Sequence, residues 1–177
     1  MEKKSISPRV LALFGMVVIS IIYLYSNIEA ENIDNPKEIT IDFKDLNGDL
    51  SESDIVSKYT ELKLSCGIEP SAMAERYCYS DIDRFDGMNA RLIAFFFEKG
   101  KLTQMKVDLN ENEYENTIRY CLQEYGPVSK VKKPDRGEQL MAWVFKDGML
   151  VTSKEKSEGQ NMLLWLSANK MFQAFLK

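Results

Sequence analysis

The 177-residue chain contains no histidine. Histidine is the usual general base near neutral pH and the commonest metal ligand, so its absence excludes Ser-His and Cys-His catalysis and histidine-based zinc sites. An excess of basic charge is also missing: 23 Lys and Arg stand against 27 Asp and Glu, a formal net charge of −4. Mildly acidic, sign-interspersed chains have no electrostatic footprint for phosphate backbones or anionic lipid, so nucleic acid is not an expected partner. Cysteine is scarce, with Cys66, Cys78 and Cys121 only. None lies near residue 30, where a lipid-anchored precursor would need one. No catalytic motif, cofactor-binding pattern or metal-ligand set is present, so neither a cofactor nor a metal is expected.

There is one long apolar run. Lys3, Lys4 and Arg9 precede Val10 to Tyr25, and Ile28-Glu29-Ala30 follows. A basic start, an apolar centre and a small residue at the cut describe an export signal, with cleavage expected after Ala30. An uncleaved N-terminal anchor through residues 10–25 stays open, because the run falls only slightly short of a bilayer span. Positive charge flanks the run only on its N-terminal side, so either reading places the remainder outside the cytoplasm, in the periplasm or tethered to the inner membrane. Without residues 1–30, which hold Glu2, Lys3, Lys4, Arg9 and Glu29, 20 basic and 25 acidic residues remain.

The most informative pattern occurs twice. Ala94-Phe95-Phe96-Phe97-Glu98-Lys99-Gly100-Lys101-Leu102 is echoed 48 residues later by Ala142-Trp143-Val144-Phe145-Lys146-Asp147-Gly148-Met149-Leu150. Each copy reads as a β-hairpin with glycine in the last turn position. A three-residue loop with a glycine bulge would put Ile93 and Phe95 on one face with Thr103, Met105 and Val107. Leu92, Ala94 and Phe96 would share the other face with Leu102, Gln104 and Lys106. By the same offset Trp143, Phe145, Met149 and Val151 point inward, and Ala142 and Val144 outward.

Around the hairpins the pattern predicts a strand over residues 39–43 and a capped helix from Ser51 to Leu62. A short strand follows over 78–82, and a second helix opens at Asn110 or Asn112 and ends at Gly126-Pro127. Residues 128–138 read as a basic loop, and 161–167 as a last strand. The tail from Ala168 reads as a short helix or irregular cover. In an oxidising compartment, Cys66 and Cys78, twelve residues apart around Gly67 and Pro70, are expected to form a disulfide. Cys121 falls on a helical stripe with Tyr114, Ile118, Leu122 and Tyr125, as a buried thiol does. Asp81 with Asp83, and Glu111 with Glu113, read as capping and turn acids. Asp45-Leu46-Asn47-Gly48-Asp49 lacks the alternation and closing Glu of a calcium loop and reads as a turn.

These elements predict an α+β fold of duplicated helix-plus-antiparallel-sheet units, with the helices on one face. Residues 1–30 form the signal or anchor and 31–44 a linker and first strand. The two repeats are 45–110 and 111–177. Phe96, Ala94, Val144 and one of Leu163 or Trp165 are then expected on the helix-free face, where exposed aromatics suit protein binding.

A helix, two cysteines twelve apart and a Trp143-Val144-Phe145-Lys146-Asp147-Gly148-Met149-Leu150 hairpin resemble the exported domains of the BamE/SmpA outer-membrane assembly type. In tandem, over most of residues 45–167, they resemble the β-lactamase inhibitory proteins. The lipid-attachment cysteine and the Gly-Met-Thr helix start of the assembly type are absent. The resemblance implies a duplicated α+β scaffold whose open sheet face grips another protein. The expected role is therefore a non-enzymatic envelope binding module, as an inhibitor, an immunity-type neutraliser or an assembly factor. The alternative is a carboxylate hydrolase of envelope polymer using Asp81, Asp83 or Asp86.

Overall fold

The computed structural model of the chain describes residues 36–68, 74–132, 139–156 and 161–170. The expected signal or anchor lies outside them, as do residues 133–138 of the basic loop. Among the described residues no helix is long and apolar enough to cross a membrane. The fold is α+β. In chain order the elements are β1 (Glu38–Ile39), α1 (Glu52–Lys58), β2 (Ser65–Ile68), β3 (Arg76–Asp81), β4 (Arg84–Phe85), β5 (Met88–Glu98) and β6 (Lys101–Leu109). Then come α2 (Tyr114–Tyr125), β7 (Lys130–Lys132), β8 (Leu140–Val144), β9 (Gly148–Ser153) and β10 (Asn161–Ser167).

Eight strands pair antiparallel in the order β2-β3-β5-β6-β10-β9-β8-β7. A small ribbon, β1 parallel to β4, continues from the start of β5. Alternation along each strand divides the side chains between two faces. One face carries Ile93, Phe95, Met105, Val107, Leu150, Leu163, Trp165 and Trp143, in one buried cluster with Ile55 of α1 and Cys121 of α2. Tyr59, which ends α1, stacks on Phe95 with ring centroids 5.7 Å apart. Trp143 donates from Nε1 to the carbonyl of Gly126, the residue that caps α2, at 2.9 Å.

Local chemistry explains most boundaries. Ser51 and Asp54 form a reciprocal capping box at the start of α1. The helix is shorter than its pattern predicts, and a 3-10 turn at Thr60–Leu62 completes it. The strand expected over residues 39–43 is only two residues long. Asp42 accepts from the Lys44 amide and turns the chain, which sends Phe43 between Phe85 and Tyr125. On α2, Thr117 is buried where Leu122 was expected, and Leu122 faces solvent.

The two hairpins share a motif and differ in their turns. In the first, Glu98 pairs with Lys101 across a two-residue turn, with Lys99 and Gly100 both at positive φ. That is the type I′ geometry, not the expected three-residue loop. Thr103 is then an extra residue, because Phe97 faces Leu102 while Phe96 faces Gln104. This bulge restores the expected pairing of Phe95 with Met105 and puts Leu102, expected on the other face, into the core. In the second hairpin the turn comes one residue earlier. Phe145 donates to the Gly148 carbonyl, Val144 pairs with Met149 and Trp143 with Leu150. Met149 and Val151, expected inward, therefore share the second face with Ala142 and Val144.

Candidate binding face of the sheet

The second face is built by residues that meet across neighbouring strands. One row runs Tyr77, Phe96, Gln104, Leu166, Met149, Val144, and the next runs Tyr79, Ala94, Lys106, Leu164, Val151, Ala142. Tyr77 and Tyr79 stack on β3, with centroids 5.5 Å apart. Ala142, Met149, Val151 and Leu166 form a second apolar cluster, with Leu140 and Leu164 packed on it. At its margin Val144 and Met162 stand 41% and 37% exposed. Apart from Gln104 and Lys106, these rows consist of aromatic, Met and aliphatic side chains.

Phe96, Ala94 and Val144 all lie on this face, although Phe96 and Ala94 are buried and only Val144 is open. Trp165 does not join them. It pairs with Met105 and Leu150 on the core face and is fully buried, as is Leu163. The reason is register: β10 presents its even-numbered residues outward, so Met162, Leu164 and Leu166 take the place expected of Leu163 and Trp165. The stack of Tyr77 on Tyr79 has no signal in the sequence, because the strand expected at 78–82 in fact begins at Arg76 and is extended by its pairing with β2. Cys66 and Cys78 are disulfide-bonded and face each other directly across β2 and β3. Glu52 lies beside this pair, but thiols held in a disulfide offer no thiolate to a metal, and Glu52 is taken up by Arg76.

A second feature is a cleft of about 430 Å³ lined by Glu38, Thr40, Asp42, Asp86, Tyr120, Glu124 and Tyr125. Tyr120 donates to Asp86 Oδ2 at 2.9 Å, and its hydroxyl lies 3.1 Å from that of Tyr125. Burial raises the Asp86 carboxyl above its ordinary value, against the hydrogen bonds from Tyr120 and Thr40. Burial likewise pushes the Tyr125 hydroxyl up to about 12. Asp81 and Asp83 do not line this cleft: Asp81 is exposed, and Asp83 accepts from the Lys37 amide at 2.7 Å.

A carboxyl whose folded pKa is raised binds its proton more tightly in the folded state. Its ionisation therefore opposes folding, and the penalty develops as pH rises from the ordinary carboxylate range through the raised value. Asp86→Asn should raise Tm near pH 7, by no more than about 2–4 °C because the site is half open to solvent. The gain should vanish at about pH 3 and below, where the carboxyl is protonated in both states. Asparagine tolerates the positive φ of 47° at this position. Thermal melts of both proteins across that pH range decide it; a pH-independent difference would remove Asp86 as the cause.

No family model matches the sequence, and no curated protein matches it. Among solved structures, the chain is similar to the DUF4309 family protein YjgB of Bacillus subtilis. The two share 11% identity at a TM-score of 0.41, over 66% of this chain and 78% of that one. A likeness that loose transfers neither architecture nor role.

Proposed function

We propose that this chain is an exported, non-enzymatic module that binds another protein through the second face of its sheet. The observation that carries this reading is the apolar cluster of the second face, at whose margin Val144 and Met162, two large side chains in different rows, stand open to water. A twofold strand order supports it. The strand order is a four-strand run, β2-β3-β5-β6, laid beside its mirror order, β10-β9-β8-β7, each run preceded by one helix. Ala94 and Phe96 of β5 and Ala142 and Val144 of β8, 48 residues apart in the sequence echo, lie on the same face. Ile55 of the first helix and Cys121 of the second belong to the other face's cluster, and among the described residues no helix side chain belongs to the second face's cluster. An inhibitor or immunity-type role fits such a surface, as does envelope assembly.

The test is affinity capture by the full chain, in mild detergent and under oxidising conditions, from an envelope extract of its own cells. A stoichiometric protein retained by the wild type and lost with Val144→Asp and Met162→Asp is the expected result. Both positions are exposed, so both variants should unfold as cooperatively as the wild type. Retention of the partner by both would exclude this face.

The Asp86 cleft favours the second reading, acid chemistry on envelope polymer, because a carboxyl held above its ordinary pKa beside a tyrosine can serve as a general acid. Turnover of cell-wall material that disappears in Asp86→Asn would establish it.

A further inference from the structure

Cys66 and Cys78 bear on more than the disulfide that joins them. They stand directly opposite each other on β2 and β3, so both side chains leave the sheet on one side. That is the core side, because Cys78 is buried in one cluster with Ile55 of α1. Three residues before Ile55, and therefore on the same side of the helix, comes Glu52. The capping box of Ser51 and Asp54 fixes where the helix begins, and with it where Glu52 stands. The result is a cluster in which a Glu52 carboxylate oxygen and both cysteine sulfurs lie within 4.8 Å of one another. Among the described residues no other three Cys, Asp or Glu side chains come together as closely.

The oxidised pair has no thiolate to give, and reduction changes that. Two electrons and two protons from a dithiol, which closes to its own disulfide, turn the Cys66–Cys78 bond into two thiols. A divalent cation then replaces both thiol protons, which leave to solvent. Two thiolates and a carboxylate are a donor set for zinc, at about 2.3 Å from sulfur and about 2.0–2.2 Å from oxygen. Ligand atoms on neighbouring corners of such a tetrahedron are about 3.5–3.8 Å apart by those bond lengths, within side-chain rotation of the cluster. Opposed residues with no bond between them sit about 4.5–5.5 Å apart at Cα, which gives the sulfurs room to part. Cys66 is exposed and Glu52 half-buried, so the fourth position opens to water on their side. Glu52 is anionic, because the hydrogen bond from Arg76 holds its carboxyl below the ordinary value. Arg76 is also the competitor: it donates to both carboxylate oxygens, at 2.6 and 2.8 Å, and an incoming ion must displace it.

We propose that Cys66, Cys78 and Glu52 form a zinc site in the reduced protein, where the ion fastens β2 to β3 as the disulfide does in the oxidised one. On the export proposed above, a newly made chain carries both thiols free until it reaches an oxidising compartment, so the metal precedes the bond. The test does not depend on export. It uses the full chain in mild detergent, with Cys121→Ala to remove the remaining thiol, reduced by a phosphine, which competes less for zinc than a dithiol. Titrated with Co2+, this chain should take up one ion and develop a thiolate-to-cobalt absorption that Zn2+ then bleaches. Zn2+ at about a hundred times its Kd should raise the Tm of the reduced chain by at least about 5 °C and leave that of the oxidised chain unchanged. Cys66→Ser should lose the ion. Glu52→Gln should weaken binding at least about tenfold, the least that loss of even an outer partner costs a metal site. Arg76→Ala should tighten it, since the carboxylate is then free. The proposal is overturned if the reduced chain shows no thiolate-to-cobalt absorption, if Zn2+ raises the Tm of the oxidised chain as much, or if Glu52→Gln binds as tightly as the parent. If reduction alone unfolds the chain, return of a cooperative melt on adding Zn2+ is the expected result, and its failure to return overturns the proposal.

Discussion

Gly148→Ala should destabilise the protein by about 3 kcal/mol or more, enough to lower Tm by about 6–12 °C. Gly148 is the first residue of β9, paired with Ser167 of β10. A Cβ there would lie 2.8 Å from Cε2 and Cζ2 of Trp165 and closer still to the carbonyl oxygen of Leu166. Neither can give way. Trp165 is fully buried, and the Leu166 carbonyl belongs to a strand bonded on both sides. Gly100, its counterpart in the first hairpin, is glycine for a different reason. It sits at φ +72°, and a Cβ there would meet nothing within 4 Å, so Ala incurs only the left-handed backbone penalty of about 1–2 kcal/mol. Denaturation of the two variants side by side checks the contrast. Trp165→Phe added to Gly148→Ala should recover part of the loss and not all, because the Leu166 carbonyl remains. Equal losses at the two glycines would refute the packing explanation.

Removing the disulfide with Cys66→Ala and Cys78→Ala should cost about 3 kcal/mol, or about 6–12 °C in Tm. The bond closes a twelve-residue separation and ties β2, a strand of four residues that pairs only with β3 among the described residues, to the sheet. Cys66 is exposed and Cys78 is buried opposite Phe95, so reductant reaches the bond from the Cys66 side. Dithiothreitol should therefore lower the wild-type Tm by a similar amount and leave the double variant unchanged. A reductant effect of the same size on the double variant would assign the loss to something other than this bond. The same treatment should loosen the Tyr77 and Tyr79 stack, which stands on β3 next to the freed edge.

The parts of this fold legible in the sequence are those set by strong local signals. The capping box at Ser51, the end of α2 at Gly126, the two long hairpins, the last strand and the cysteine pair all follow from residue types at short spacing. Facing is harder, because one bulge residue decides it. Thr103 carries no mark that distinguishes a bulge from a ladder residue, yet it moves Leu102 into the core while leaving Phe96 on the second face. At the second hairpin, the glycine that reads as a turn residue is needed instead for the approach of a tryptophan seventeen positions on. Long-range packing of that kind has no local signature. β2 escapes sequence reading for a related reason: Ser65-Cys66-Gly67-Ile68 has no apolar alternation, and only its pairing with β3 makes it a strand. The tyrosine and carboxylate cleft draws Glu38, Asp86 and Tyr120 from three separate stretches of chain, which no spacing rule brings together.

The joint between β6 and β10 also bears on how the protein reaches its folded state. Leu109 pairs with Asn161 across 52 residues, whereas β5 and β6 meet through a two-residue turn. Closing a long loop is entropically slower than zipping a hairpin, so the four-strand runs can form before the seam that joins them. Until that seam closes, β6 and the largely apolar β10 are each an edge with unpaired backbone groups, in a chain whose own second copy offers the same two edges. The middle of the finished sheet is thus the place where newly made molecules are most exposed to strand exchange and aggregation.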